Sequence, residues 1–155
     1  MDTDAVRPRW RFNFSYRLSP RWQIGAEYSA AAGEWSPTAS WIATTETATR
    51  PLVTFGTSSD RIFSPPGHQA YFVTVAKSLP GRRWGPYVGV SYGEWEERLV
   101  FPWGVNYALD ERWDALLLHD GRNTHGLLTL KGENWNLTLM SVRMRRFGVS
   151  VGYSF

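Results

Sequence analysis

The 155-residue chain contains no cysteine, so disulfide bonds and thiolate metal sites are both excluded. It has no apolar run of about 18 residues, which excludes a membrane-spanning helix. No segment follows the 3.6-residue periodicity of an amphipathic helix. The length indicates one domain, residues 1–155. These absences leave a single all-β domain without covalent cross-links.

Charge is also sparse. Lys and Arg number 17 against 14 Asp and Glu, and the basic residues are scattered along the chain. Nucleic-acid binding, which needs a clustered basic surface, is therefore not expected. The first residues, Met1 to Asp4, are polar and acidic, so no signal peptide is visible. If the protein is exported, we expect this sequence to be the mature form with an added methionine.

The most informative segment that is present is the C-terminal one, residues 147–155. Alternate residues are large and apolar: Phe147, Val149, Val151, Tyr153 and Phe155. The residues between them are small: Gly148, Ser150, Gly152 and Ser154. A period of two predicts a β-strand with one apolar and one small, polar face. A large ring at the end of such a strand is typical of a membrane interface.

The same alternation predicts eleven strands. Their ranges are 7–18, 22–32, 35–44, 52–62, 68–79, 85–95, 98–109, 113–119, 125–131, 135–143 and 146–155. The weakest patterns are those of 35–44 and 125–131. Closed bacterial barrels have even strand numbers, so we expect twelve strands, with residues 1–7 contributing to the twelfth. Ten and eight strands are the alternatives. The strong segments have 9–12 residues, enough to cross a bilayer when tilted.

Four tryptophans each follow a short turn that carries charge or a chain breaker: Trp22, Trp84, Trp113 and Trp135. If successive strands alternate in direction, the four turns lie at one end of the sheet. Phe155 ends a strand that runs toward the same end. We therefore predict that these five aromatic side chains form a ring at one membrane interface. The alternative is that each indole packs only against its own hairpin.

The rows opposite the aromatic ones contain many glycines. Small residues suit the crowded interior of a barrel and suit a soluble exterior poorly. The chain thus resembles bacterial outer-membrane β-barrel proteins through its terminal strand, its short turns and its turn-tryptophan pattern. Segments 55–62 and 120–125 are faintly similar to uncharacterised bacterial envelope proteins. The predicted fold is an antiparallel, up-and-down transmembrane β-barrel.

This resemblance implies a location in the bacterial outer membrane. It also implies two partners: outer-membrane lipids, and the barrel-assembly machinery acting on the C-terminal strand. No cofactor is implied, and the oligomeric state stays open. A soluble lipocalin-like ligand-binding barrel, with its aromatic row inside, is one alternative to this interpretation.

On this topology, polar residues share the row that faces the lumen: Arg9, Arg11, Arg17, Glu27, Asp60, Arg98, Asn106 and Asp114. A membrane barrel holds such charges only inside, where they pair or contact water. One reading is a network that fills and rigidifies the lumen. The other is a narrow, arginine-lined passive pore that favours anions. We therefore expect a structural or pore-forming protein without catalytic activity.

A lipid-modifying barrel enzyme is the remaining alternative. Its candidates are His125 as the base, Ser59 as the nucleophile and Asp120 as the orienting carboxylate. The three histidines, His68, His119 and His125, are predicted at the end opposite the tryptophans. Their spacing matches no compact set of metal ligands, so no metal site is predicted.

Overall fold

The computed structural model describes residues 10–30, 32–60, 65, 67–81 and 83–155. Twelve strands occupy these residues. They are β1 (Arg11–Arg17), β2 (Trp22–Ser29), β3 (Glu34–Thr44), β4 (Leu52–Ser59), β5 (Gln69–Ala76), β6 (Trp84–Gly93), β7 (Arg98–Val100), β8 (Trp103–Ala108), β9 (Trp113–His119), β10 (Thr124–Lys131), β11 (Trp135–Val142) and β12 (Arg146–Tyr153). Within the described ranges, no helix is long and apolar enough to cross a membrane.

The strands form one antiparallel sheet in the order β1-β2-β3-β4-β5-β6-β8-β9-β10-β11-β12, and β7 pairs with β6 off this path. The predicted all-β, up-and-down order is confirmed. The weak patterns at 35–44 and 125–131 are both strands, β3 and β10. The pairings among the described residues do not close the sheet.

Among the described residues, the count of twelve is reached without the twelfth strand predicted from residues 1–7. Residues 1–7, expected to supply it, lie outside the described residues. Instead, the predicted strand 98–109 is divided into β7 and β8. Both pieces pair with β6 in one unbroken register, from Gly93↔Arg98 to Trp84↔Tyr107. The interruption falls at Phe101 and at Pro102, which has no N–H to donate to the ladder.

Most strands are also shorter than predicted. Of the strands predicted with 9–12 residues, six have only 7 or 8 (β1, β2, β4, β5, β11 and β12), and only β3 and β6 reach 10 or more. Strand β9, predicted with 7 residues, has the predicted bounds. Hydrogen bonds continue some ladders beyond these limits, as from Ala30 N–H to Trp10 C=O at 3.2 Å. The last strand ends at Tyr153, and Phe155 lies beyond it.

Side-chain oxygens in the turns fix the start of two strands that begin with a tryptophan. Ser19 Oγ accepts a hydrogen bond from the Trp22 N–H at 3.1 Å. Asp110 Oδ1 accepts one from the Trp113 N–H at 2.8 Å and another from the Arg112 N–H at 2.7 Å. A Ser or Asp three residues before the indole thus terminates the turn and fixes where the next strand starts.

The chain divides into two compact units. Unit 1 comprises Met1–Val75 and Val90–Val100, and unit 2 comprises Ala76–Gly89 and Phe101–Phe155. Strand β6 contributes to both, with residues 84–89 in unit 2 and residues 90–93 in unit 1. A single domain for residues 1–155 stays a prediction.

Within each unit, the pairings place alternate residues on two opposite faces, an apolar face and a polar face. The apolar face of unit 1 carries the aromatic row of β1 and its cross-strand partners, and that of unit 2 carries the apolar row of β12 and its partners. Large side chains on these faces are mostly exposed, such as Phe14, Trp22, Leu139 and Val149. Among the described residues, Ala70 is the only buried hydrophobic one. The burial pattern of a soluble protein is therefore inverted.

Candidate functional site

A buried carboxylate lies on the polar face of unit 1. Glu27, on β2, is only 7% exposed. Its Oε1 accepts a hydrogen bond from Ser59 Oγ, at the end of β4, at 2.6 Å. The same oxygen lies 3.3 Å from Arg11 Nη1 on β1, whose side chain is half exposed. The charge of Glu27 is thus balanced by one cation and solvated by one hydroxyl, as burial of a carboxylate requires.

A second carboxylate, Asp60, follows β4 directly and is 3% exposed. Its Oδ2 accepts a hydrogen bond from the Trp95 N–H at 3.2 Å, and its own N–H donates to His68 C=O at 2.9 Å. Gly93 makes room for it, because a Cβ there would lie 2.8 Å from Asp60 Oδ2. Asp60 therefore ties together the loops that follow β4 and β6.

Glu34 begins β3 on the same polar face. Its Oε1 accepts hydrogen bonds from Ser36 Oγ, at 3.4 Å, and from the Gly67 N–H. Its cross-strand neighbour Ser29 is buried, and no hydrogen-bond partner is present for Ser29 Oγ among the residues that the structure describes. Glu34 was not among the predicted residues. The signal that could have found it is its position at the head of a strand whose alternate residues are polar.

The other predicted lumen residues are distributed as follows. Arg9 lies outside the described residues. Arg17 continues the polar row of β1 and is exposed. Arg98, at the start of β7, pairs with Glu96 at 3.0 Å and is half exposed. Asn106 and Asp114 lie on the polar face of unit 2. Asp114 is the cross-strand partner of Ala108, which is two residues along β8 from Asn106 and therefore on the same face.

The polar face of unit 2 is built on one ion pair and one pair of hydroxyls. Asp114 Oδ2 lies 3.0 Å from Lys131 Nζ. Thr129 Oγ1 and Thr138 Oγ1, directly opposite each other on β10 and β11, are 2.9 Å apart. Lys131, Thr129 and Thr138 were missed from sequence, because their importance depends on the register between three strands.

Two of the three candidate catalytic residues meet in unit 2. His125, 8% exposed, places its Nε2 3.1 Å from Asp120 Oδ2. Its Nδ1 accepts a hydrogen bond from the Arg143 N–H at 3.3 Å. Because Nδ1 is an acceptor, the proton of the neutral ring lies on Nε2 and is donated to Asp120. Both ring nitrogens therefore clamp the turns around them.

Asp120 itself organises the β9–β10 turn. Its Oδ1 accepts hydrogen bonds from the N–H groups of Asn123 and Arg122, at 2.7 and 2.8 Å. Burial raises the pKa of Asp120, but these two N–H groups and His125 outweigh it, and the net pKa lies below the ordinary value. The carboxylate is held ionised, as a turn-stabilising group requires.

The third candidate, Ser59, belongs to unit 1 and donates its hydroxyl proton to Glu27. The hydroxyl of Ser59 thus bonds to a carboxylate, whereas the enzyme alternative expects a histidine as its partner. The histidines predicted at one end follow the strand directions: His119 ends β9, His125 is the second residue of β10, and His68 directly precedes β5. Over the described residues, no group of three His, Cys, Asp or Glu side chains is placed to hold a metal ion.

The predicted interface tryptophans begin strands that run in the same direction, as expected from an antiparallel order. In unit 1, Trp22 stacks on Trp41 with ring centroids 5.9 Å apart. In unit 2, Trp84 contacts Tyr107 at 4.3 Å, and Trp135 is paired with Tyr153 across the sheet. Trp113, half-buried, is paired with Leu130. Phe155 is fully exposed, 5.1 Å from the ring of Tyr153.

The opposite ends of the strands carry a second set of aromatic side chains that sequence reasoning missed. In unit 1, Tyr28 contacts Trp35 at 4.8 Å and Phe12 at 6.4 Å. In unit 2, Trp103 stacks on His119 at 5.7 Å. For Trp35 the available signal was the predicted start of the strand 35–44. Trp103 had no such signal, because it lay inside the predicted strand 98–109, which only the structure divides.

Comparison of the chain with family models, with curated proteins and with solved structures finds no match.

Proposed function

We propose that this protein is an integral outer-membrane β-barrel that serves as a structural element, with an interior filled by paired charges. The observation that carries the proposal is the inverted burial. Large apolar side chains cover the exposed faces, whereas Glu27, Asp60, His125 and Thr138 are buried. In water such a surface would aggregate, whereas in a bilayer it faces lipid.

The arrangement of the charges supports a filled interior over an open pore. Glu27 pairs with Arg11, and Asp114 pairs with Lys131, each pair within one unit. A charge that is held in a direct ion pair attracts a permeating ion less strongly than an isolated arginine does. Any conductance is thereby limited to a narrow passive pathway.

The aromatic side chains at both ends of the strands support two interfacial belts, at the level of the lipid headgroups. The exposed row of β12, from Phe147 to Tyr153, supports recognition of this strand by the barrel-assembly machinery. Lipids and that machinery are the proposed partners, and the outer membrane is the proposed location.

The proposal is tested by the electrophoretic mobility of the protein, expressed with an export signal and extracted from membranes in detergent. We expect a compact band that shifts to the full-length position only after boiling. Two neighbouring variants sharpen the test. Val149→Arg places a charge on the apolar face and should destabilise the compact form by about 2–4 kcal/mol, whereas Ser150→Arg, on the polar face, should be tolerated. Solubility without detergent would overturn the proposal.

Planar bilayer recording tests the filled interior separately. We expect no stepwise currents from the wild-type protein, even at high protein load. Regular anion-selective steps would contradict the filled interior and would favour the arginine-lined pore.

A further inference from the structure

The buried ring of His125 joins two turns at one end of unit 2. Its Nε2 donates to Asp120 Oδ2, in the β9–β10 turn, at 3.1 Å. Its Nδ1 accepts from the Arg143 N–H, in the β11–β12 turn, at 3.3 Å. The two bonds require opposite roles of the ring, one N–H donor and one lone pair. Only the neutral imidazole with its proton on Nε2 can therefore satisfy both turns at once.

Protonation of His125 affects the two turns differently. The second proton occupies Nδ1, so the Arg143 N–H then faces another N–H and its hydrogen bond is lost. The bond from Nε2 to Asp120 remains and becomes an ion pair, which is stronger than the neutral hydrogen bond. The added proton thus releases the β11–β12 turn while it holds the β9–β10 turn.

The β11–β12 turn needs support from outside its own backbone. Arg143 and Met144 have φ of 53° and 52°, in the left-handed region that residues other than glycine rarely adopt. Such a conformation persists only where the surrounding contacts hold it. The bond to His125 is one such contact, and the hydrogen bond from the Arg145 N–H to Val142 C=O, at 3.1 Å, is another. Loss of the bond to His125 therefore lets the turn move toward a more relaxed conformation.

The β9–β10 turn is supported independently of His125. Its residue with positive φ is Gly121, which adopts that conformation without strain. Asp120 Oδ1 accepts hydrogen bonds from the Arg122 and Asn123 N–H groups, and the Asp120 N–H donates to Asn123 C=O at 3.0 Å. Protonation of His125 changes none of these bonds.

The charges around His125 act in the same direction. Its row on the polar face continues through Leu118 and Gly104 to Tyr87, and Val142 is paired with Arg146 beside the β11–β12 turn. This row and the two turns, residues 120–123 and 143–145, contain one acidic group, Asp120. Their other ionisable groups are Arg122, Arg143, Arg145, Arg146 and Tyr87. A cation at His125 is therefore attracted to the β9–β10 side and repelled from the β11–β12 side, which carries three of the four arginines.

We propose that His125 is a proton-operated switch that releases the β11–β12 turn when the pH falls below neutral. The inference uses contacts within unit 2 alone and does not depend on a membrane location. Histidine is the side chain whose charge ordinarily changes between about pH 5 and 8. Asp120 stays ionised over that range, because its pKa lies below the ordinary value. The hydrogen bond to Arg143 is thus present when His125 is neutral and is lost on acidification.

The absence of cysteine allows the two turns to be labelled one at a time. Arg145→Cys and Arg122→Cys replace exposed arginines, one in each turn, and each variant receives a nitroxide spin label in the full chain extracted in detergent. We expect the ratio of mobile to immobile label at position 145 to rise about fivefold between about pH 7.5 and about pH 5, the factor that one hydrogen bond supplies. The label at position 122 should keep its ratio, because the bond to Asp120 is retained.

Histidine variants assign the response to one ring. His125→Gln cannot gain the charge and should abolish the change at position 145. His119→Gln is the matched control and should leave the change intact, because His119 stands one residue from the cross-strand partner of His125 and so on the opposite face. A change at position 145 that persists in folded His125→Gln, or equal changes at both labels, would overturn the switch.

A second measurement needs no substitution at position 125. In the double variant His68→Gln/His119→Gln, His125 is the only histidine of the chain, so its ring nitrogens can be followed by nitrogen-15 NMR. We expect the proton on Nε2 at neutral pH, and a protonation midpoint that coincides with the midpoint of the label at position 145. A proton on Nδ1 at neutral pH, or two midpoints that do not coincide, would show that His125 does not control the turn.

Discussion

The two units follow the same alternation of apolar and polar rows but use it differently. On its polar face, unit 1 buries carboxylates, with Glu27 held by Arg11 and Ser59. In the described part of unit 2 the buried polar residues are His125 and Thr138, and Thr138 contacts the half-buried Thr129. Removing the partner of a buried charge lowers stability strongly, whereas removing one hydroxyl of a hydrogen-bonded pair lowers it less. Unit 1 is therefore the more sensitive of the two to single substitutions on the polar face.

The apolar faces differ in the same way. Unit 1 presents stacked rings, with Trp41 between Trp22 and Phe55 at centroid distances of 5.9 and 5.7 Å. Unit 2 also has ring contacts, such as Trp84 with Tyr107, but on β9 and β10 its apolar face presents leucines interrupted by Ala115 and Gly126. Rings on neighbouring strands fill the surface, whereas small residues on neighbouring strands leave a depression. The period of the sequence sets which face a residue occupies, and residue size then decides whether that face is filled or recessed.

The largest effect is expected from removal of the Glu27 carboxylate. Glu27→Ala leaves the buried Ser59 hydroxyl without its acceptor and Arg11 without its counter-charge. We expect the free energy of unfolding to fall by about 3 kcal/mol, the lower end of the range for a broken buried pair, because Arg11 is half exposed. The measurement is urea unfolding in lipid vesicles, followed by tryptophan fluorescence.

Two variants make that result specific. Glu27→Gln keeps an acceptor for Ser59, and its free energy of unfolding should fall by about half as much as that of Glu27→Ala. Gln23→Ala, on the same row of β2, should stay within about 0.5 kcal/mol of the wild type. Equal, small losses for Glu27→Ala and Gln23→Ala would show that unit 1 does not depend on its buried carboxylate.

A glycine in each unit gives the next largest contrast. A Cβ at Gly25, on β2, would overlap the carbonyl oxygen of Phe14 and lie 2.8 Å from Thr38 Oγ1. A Cβ at Gly85, on β6, would meet only Asn106 Cβ at 3.8 Å. We expect Gly25→Ala to lower the free energy of unfolding by about 2 kcal/mol, because the strands must separate to admit the methyl group. Gly85→Ala should raise it slightly, since alanine restricts the unfolded chain.

The same urea titration measures both variants, so each serves as the control for the other. If Gly85→Ala proves as destabilising as Gly25→Ala, close approach of neighbouring strands is not what distinguishes the polar rows of the two units.

Much of the fold was predictable from the alternation of residues. Strands such as β2, β9 and β11 begin at the predicted residues because a tryptophan and a turn mark each start. The division of 98–109 depended on Pro102, whose missing N–H the alternation does not reveal. Strand lengths were overestimated because the alternation continues into the turns, as in residues 77–79 after β5 and 94–95 after β6.

The interactions of the candidate site were largely not predictable. Ser59 meets Glu27 across 32 positions of sequence, and the Arg143 N–H reaches His125 across 18. Such pairs depend on the register of several strands, which a single sequence does not specify. The contact of His125 with Asp120 was closer to prediction, because both residues border one short turn.

The smallest effect concerns that turn in unit 2, where the charge is ionised and only partly buried. Asp120→Ala removes the acceptor for two turn N–H groups and for His125, and should lower the free energy of unfolding by about 1.5 kcal/mol at neutral pH. Asp120→Asn keeps the turn acceptor, so its free energy of unfolding should fall by less than that of Asp120→Ala.

The contribution of Asp120 to stability should also depend on pH. Because the pKa of Asp120 is lowered in the folded protein, this contribution is complete above the ordinary pKa of about 3.9 and is lost as the pH falls below it. The difference in stability between the wild type and Asp120→Asn should therefore shrink on acidification, measured by urea unfolding at a series of pH values. A difference that grows on acidification would mean that the neutral carboxyl group is the form that stabilises the turn.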